Sequence, residues 1–363
     1  MDPNMTNPLL DLDYKPKLPS KGDYGIGLVG AGQIANQAHL PAYRQAGFRV
    51  LAVTDEDPSA AAKTAAAFGI PRICENLDEL LDVPGIEIAD FAIPARHNPE
   101  LAIRALRRGK HVLVQKPMAE SVSEAGSMVK EAHAAGCKLA VNHQMRWAPS
   151  VRAAASLLKK HFFGDPLECT FQIHIRTAWD SWPWLQSLAY PEIYYHSIHH
   201  VDSLRSLLGD PIGLYATLAR HPGSKCIGPT RNYILFEYPG DLRACFIINH
   251  HTSAPADDFE ARFTIEGTEG RCEGLLGLLL NYPVGRSDVL IVSNSELTPG
   301  GSLRLELEGR WFPDAFIGPM ASLMDAITHD RDPETSGEQA LATLRVAEAI
   351  CRSHETRSAI ALR

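Results

Sequence analysis

Between Tyr24 and about Ser150, short apolar runs alternate with stretches whose apolar residues recur at helical spacing: GIGLVG, then QIANQAHLPAYRQAG, FRVLAVTD and PSAAAKTAAAFG. Strands alternating with helices predict right-handed crossovers and a parallel sheet. The same pattern predicts a strand over Ile88–Pro94, a helix over Asn98–Arg108, a strand over His111–Gln115, a helix over Ser121–Ala135 and a strand over Lys138–Asn142. Gly109 and Gly136 stand where a left-handed glycine would stop the two helices. After Pro149 the pattern changes. One helical stretch, Val151–His161, leads into the alternating runs LECTFQIHIR, GLYATLAR, NYILFEYP, LRACFIINHH and ARFTIEG. These predict a mostly antiparallel sheet with one covered face. Helices over Phe316–His329 and Ser336–His354 close the chain.

The expected organisation is a flexible arm over 1–23, a doubly wound α/β domain over 24–150, and an α+β domain with an open sheet over 151–363. The arm carries Pro3, Pro8, Pro16 and Pro19 among polar residues and has neither the basic nor the apolar region of a signal peptide. Composition adds exclusions. With Lys+Arg 35 against Asp+Glu 43 and a net charge of -8, no basic surface is available for nucleic acid or an anionic membrane. No apolar run is long enough to span a bilayer. The seven cysteines are scattered with no C-x-x-C pair, which reads as buried thiols in a reducing, cytoplasmic compartment.

The first strand runs into Gly30-Ala31-Gly32-Gln33-Ile34-Ala35, a G-x-G-x-x-A turn followed by a helical pattern. Gly30 permits the tight turn, Gly32 lets backbone approach a pyrophosphate, and the helix N-terminus offers amide donors. Alone, such a turn is a weak signal. Here Asp55 ends the next strand at about the distance where a carboxylate holds a ribose 2′-hydroxyl, and together these predict a dinucleotide-binding Rossmann domain. Asp55 opposes the 2′-phosphate of NADP, so NAD is the expected cofactor; the alternative is a glycine turn beside a surface aspartate.

Gln115-Lys116-Pro117 ends the strand HVLVQ, and the carboxyl ends of such strands line the ligand crevice. A lysine there, desolvated beside a nicotinamide, can donate a hydrogen bond or move a proton near neutral pH. The alternative is a solvated surface lysine.

At these residues the chain resembles the Gfo/Idh/MocA oxidoreductases. The resemblance rests on the Gly30 turn, Asp55, the Ile93-Pro94 strand end, AIRALRRGKHVLVQKPMAESVSEA, VNHQMRW, HSIHHVDSLRSLLGDP and SGEQALATLRVAEAI. It implies a Rossmann domain followed by an α/β domain, NAD(P)-dependent chemistry on sugars, polyols or sugar acids, and pairing of subunits into a homodimer or homotetramer. It also implies that Gly30, Gly32, Gln33, Ile34, Asp55, Ile93, Pro94, Asn98, Gln115 and Lys116 line the cofactor, with Lys116 and His199 catalytic. Three positions depart from the family pattern: Gln115 replaces the common glutamate, Asn98 a common histidine, and Tyr195 the aspartate often found four residues before the catalytic histidine.

Independently of the resemblance, Ile198, Val201, Leu204 and Leu208 recur at helical spacing with Gly209 as a stop, so His199 opens a helix. Tyr195, His199 and Asp202 share one stripe of it, with His196 three residues before His199. Asp202 can fix the His199 tautomer and leave the other nitrogen to take a hydroxyl proton. A helix-cap histidine cluster and a metal site are the alternatives; the spacing is not that of a zinc protease, and no metal is expected. Arg146 and Trp147 follow the strand ending at Asn142, where Arg146 either grips a substrate carboxylate or hydroxyls or forms a hinge ion pair. Trp179, Trp182 and Trp184 suit either core and interface packing or the apolar face of a sugar.

The expected activity is hydride transfer between NAD and a secondary hydroxyl or ketone of a small carbohydrate, polyol or sugar acid. Two rivals share these residues: a lyase or glycoside hydrolase that recycles its NAD, and a non-catalytic nucleotide sensor.

Overall fold

The computed structural model describes residues 11–362. Two compact units divide the chain: one comprises 16–144 and 312–345, the other 11–15, 145–311 and 346–362. This division differs from a single boundary near residue 150, because 312–345 packs with the N-terminal unit.

In the N-terminal unit six parallel strands, β1 (Gly25–Val29), β2 (Arg49–Thr54), β3 (Arg72–Ile73), β4 (Ile86–Phe91), β5 (His111–Gln115) and β6 (Leu139–Asn142), pair in the order β3-β2-β1-β4-β5-β6. The order reverses between β1 and β4, the switch point where a doubly wound sheet leaves its ligand crevice. Strands β1, β4, β5 and β6 are almost wholly buried, as a sheet covered on both faces requires. Asp57, Asn76 and Ser121 cap the following helices through side-chain oxygens, and Gly47, Gly69 and Gly136 end theirs in the left-handed region.

The second unit is built on a nine-stranded sheet. Its members are β7 (Pro166–His174), β8 (Gly213–Ala219), β9 (Arg231–Glu237), β10 (Arg243–Asn249), β11 (Glu260–Gly267), β12 (Gly270–Leu275), β13 (Val289–Asn294), β14 (Leu303–Glu306) and β15 (Ile360–Ala361). They pair in the order β14-β13-β12-β11-β7-β10-β9-β8-β15, and only β7 with β10 is parallel. Along β9 and β10 residues alternate between a core containing Ile234, Phe236, Phe246 and Ile248 and an outer face that leaves Tyr233 and Leu235 exposed. Strands β12 to β15 lay outside the sequence expectation, being short or weakly alternating.

The arm over 1–23 lies partly outside the described residues. From Asp11 on it is docked: Asp13 N donates to Ser156 Oγ at 3.1 Å, Glu308 N to Tyr14 Oη at 3.2 Å, and Lys15 pairs with Glu308. Of the seven cysteines, all free thiols, Cys137 and Cys245 are half-buried and the rest buried. Among the described residues no helix is long and apolar enough to cross a membrane.

Candidate active site

Three strand ends converge on the glycine turn. Gly30 N donates to Thr54 O and Ala92 N to Val29 O, each at 2.9 Å. Gly30 has φ of 98°, and a Cβ there would stand 2.7 Å from both Ala92 O and Ile93 Cγ2, so only glycine fits. Gly32 differs. Nothing lies within 4 Å of where its Cβ would be, which leaves the backbone open to a pyrophosphate. Asn36 Nδ2 ties back the carbonyls of Ala31 and Gly32 at 2.8 and 2.9 Å, and Thr64 Oγ1 donates to Asn36 Oδ1 at 3.1 Å. Gln33 is exposed and bonds Gln37, whereas Ile34 packs half-buried against the core around Leu28 and Leu40. Asp55 Oδ2 accepts Ala31 N at 2.6 Å and Oδ1 accepts Asp57 N at 2.8 Å. Its carboxylate therefore stands at the turn, with lone pairs remaining for a ribose hydroxyl. The open Gly32 backbone and this carboxylate fit a dinucleotide.

One strand further on, Lys116 follows β5. Gln115 Oε1 accepts Lys116 N at 3.0 Å, and Asn98 Nδ2 faces Gln115 O at 3.2 Å and Pro117 O at 3.4 Å. Asn98, expected against the cofactor, is thus fully buried with its amide on backbone. Burial pushes the Lys116 pKa down to about 8, although part of its side chain is exposed. Pro94 and Ile93 are half-buried at the neighbouring end of β4.

Asn142 closes β6 opposite Gln115, and sequence reasoning passed over it. Its Nδ2 lies 3.1 Å from His39 Nε2, while His39 Nδ1 lies 2.8 Å from Asp90 Oδ2, which also accepts Tyr43 Oη at 2.7 Å. A neutral His39 ring that gives its Nδ1–H to Asp90 accepts at Nε2 from the Asn142 amide. The signal was a polar residue ending the apolar run LAVN.

In the second unit the helix Ile198–Leu208 carries His199 and Asp202, and a π-turn over Ile193–Ser197 leads into it carrying Tyr195 and His196. His199 is 9% exposed and meets the Trp311 ring edge-on at 5.4 Å. Tyr195 packs against Trp184 at 5.1 Å, and His196 against Trp179 at 4.9 Å. Burial pushes the pKa of the next residue, His200, down to about 3, so that ring stays neutral.

Arg146 and Asp202 meet each other. Nε donates to Oδ2 at 2.6 Å and Nη2 to Oδ1 at 2.8 Å, with both side chains buried. Of the two expectations for Arg146, a grip on substrate or an ion pair, the structure shows an ion pair, formed with Asp202 in a fork-to-fork geometry that neutralises a buried carboxylate. Trp147 is likewise buried, with the Arg152 guanidinium 5.3 Å from its ring centre.

A carboxylate the sequence did not flag, Glu192, is buried and immediately precedes the π-turn. It accepts Ser197 Oγ at 2.7 Å and Asn232 Nδ2, and His250 Nε2 lies 3.2 Å away. Its partners are 5, 40 and 58 positions distant in sequence, which left no local signal.

The family model described as "Oxidoreductase family, NAD-binding Rossmann fold" matches residues 24–143, and that described as "Oxidoreductase family, C-terminal alpha/beta domain" matches 155–362. The chain therefore belongs to the Gfo/Idh/MocA oxidoreductase family, and it is an NAD(P)-dependent oxidoreductase. It is 25% identical to the 1,5-anhydro-D-fructose reductase of Ensifer adhaerens over 339 residues, 91% of this chain and 96% of that protein. It is 24% identical to the D-apiose dehydrogenase of Paraburkholderia graminis over 326 residues, 89% of this chain and 85% of that protein. The fold is shared with an oxidoreductase from Agrobacterium radiobacter in complex with NAD+, L-tartaric acid and magnesium: TM-score 0.80 at 22% identity, covering 93% of this chain and 98% of that one.

Proposed function

We propose that this chain is an NAD-dependent dehydrogenase that oxidises a secondary hydroxyl of a sugar, polyol or sugar acid to a ketone, or runs the reverse reaction. The observation that carries the reading is Lys116, which follows β5, the strand next to β4 in the sheet of the dinucleotide turn, and whose pKa burial lowers to about 8. The names of the relatives over most of the chain, a reductase and a dehydrogenase of sugars, support the substrate class.

NAD, when bound, supplies the hydride acceptor. Lys116 donates a hydrogen bond to the substrate oxygen and stabilises the charge that develops there. His199 takes the hydroxyl proton, so the substrate loses one hydride and one proton. Tyr195 and His196, on the turn before His199, orient the remaining hydroxyls. Asp55 favours NAD over NADP, since Asp55, Glu56 and Asp57 in succession oppose a 2′-phosphate. The exposed Tyr215, Tyr233 and Leu235 on the outer face of the sheet support a homodimer or homotetramer. A cytoplasmic location follows from the same reading of a reduced, metabolic enzyme.

The test is a panel of sugars, inositols and aldonates with NAD and with NADP, followed by NADH absorbance and product analysis. One substrate giving stoichiometric NADH with NAD supports the reading. Substrate consumption with no net NADH would instead mean that the cofactor is recycled within an elimination or hydrolysis, and faster turnover with NADP would overturn the cofactor assignment.

A further inference from the structure

The sheet stops supporting the chain just before Lys116. Pairing of β5 with β4 ends at Val114 opposite Phe91, and pairing with β6 ends at Gln115 opposite Asn142. A lysine with four rotatable side-chain bonds, standing one residue past the ladder, needs its backbone fixed by something else if its ammonium is to meet one atom.

Side-chain amides do this. The Asn98 amide group has two hydrogens, and it faces the two carbonyls that flank Lys116: Gln115 O at 3.2 Å and Pro117 O at 3.4 Å. Gln115 Oε1 accepts the N–H of Lys116 itself at 3.0 Å. Asn98 is 0% exposed and opens the helix Asn98–Arg107, which is anchored by the fully buried Ala102, Ala105 and Leu106. The clamp is therefore built on a packed element.

We propose that Asn98 is a positioning residue for Lys116, fixing where the ammonium stands, and that its amide does not touch the cofactor. The inference rests on the reading of Lys116 as the group at the reacting oxygen. Asn98→Asp keeps the shape but replaces the two N–H donors with a carboxylate oxygen that only accepts, facing two carbonyls; Asn98→His keeps one N–H donor.

The experiment compares wild type, Asn98→Asp, Asn98→His and Lys116→Ala in full-length protein. For Asn98→Asp the expected result is a roughly 10- to 100-fold fall in kcat with the Kd for NAD, from calorimetry, within about twofold of wild type. Asn98→His recovers part of the loss. A second readout needs no turnover: lysines are reductively methylated with carbon-13, and the Lys116 signal, assigned by its absence in Lys116→Ala, shifts or broadens in Asn98→Asp. A Kd for NAD weakened about tenfold with kcat unchanged would make Asn98 a cofactor contact and overturn the proposal. Lower thermal stability with kcat and the Lys116 signal unmoved would reduce it to a helix cap. Normal turnover in Lys116→Ala sinks the proposed function, whereas an inactive Lys116→Ala beside a normal Asn98→Asp sinks only this inference.

Discussion

Among the described residues two helices are entered through a π-turn, and the two turns are held in opposite ways. Ala35–His39 follows the glycine fingerprint and Ile193–Ser197 precedes His199. A π-turn lengthens the backbone loop by one residue and is found mostly at functional positions. At the first, Asn36 bonds the carbonyls of Ala31 and Gly32, five and four residues away, and the geometry is set chiefly by neighbours in sequence. At the second, Glu192 and Ser197 are joined to Asn232 of β9, with His250, just past the end of β10, at 3.2 Å from Glu192, so side chains distant in sequence fix the turn. The glycine turn is thus a local device, while the turn before His199 is fixed only once the second sheet has assembled. A buried carboxylate such as Glu192 is tolerable because several donors satisfy it.

If this contrast holds, replacements at the two ends should fail differently. The largest effect is expected from the proposed chemical groups: Lys116→Ala and His199→Ala should each lower kcat by roughly 100- to 10,000-fold, measured at saturating NAD. Lys116→Met should at the same time raise thermal stability near pH 7. Its pKa in the folded protein, about 8, lies below that of the unfolded chain, so at pH 7 the native state carries a desolvated ammonium. Stability of the wild type accordingly rises as pH increases from about 8 toward 10.5. The advantage of Lys116→Met, read by unfolding at pH 7 and pH 10, should shrink over that interval.

Next in size is the buried pair of the second unit. Arg146→Met leaves Asp202 without the guanidinium that spans both of its oxygens, and a loss of about 3 to 5 kcal/mol in denaturant unfolding is expected. An unchanged midpoint would remove this pair from the scaffold. Asp55→Ala should weaken NAD binding by about 1.5 to 3 kcal/mol without lowering kcat, with the preference over NADP reduced in parallel. An effect on kcat alone would break the assignment of Asp55 to the ribose. Smallest is Tyr195→Phe, expected to cost about 0.5 to 1.5 kcal/mol in kcat/KM. A larger loss there than in His199→Ala would move the proton acceptor away from His199, with His196 the residue to test.

The parallel sheet, with its glycine turn, was legible because its signals are short-range. A strand, two glycines, an apolar-periodic helix and an acid at the end of the next strand fall in one stretch from Gly25 to Asp55. The helix opened by His199 was legible for the same reason, since Ile198, Val201 and Leu204 repeat at helical spacing and are all buried. The partners of individual polar groups were not. Arg146 and Asp202 lie 56 residues apart, and either could have faced a ligand until the fold placed each against the other. The family resemblance implied that Asn98 lines the cofactor; in the structure its amide Nδ2 faces the backbone carbonyls of Gln115 and Pro117.

By itself, then, the sequence determined the alternation of strands and helices, the φ-positive glycine at Gly30 and the residue types that can bind a dinucleotide, because each depends on steric and hydrophobic rules acting over a few residues. Tertiary structure alone decided that the segment 312–345 packs with the first unit, that Glu192 accepts from Asn232, and that Arg146 turns its fork to Asp202. Those outcomes turn on which polar groups must be satisfied once burial removes them from water, and only the assembled fold brings their partners within 3 Å.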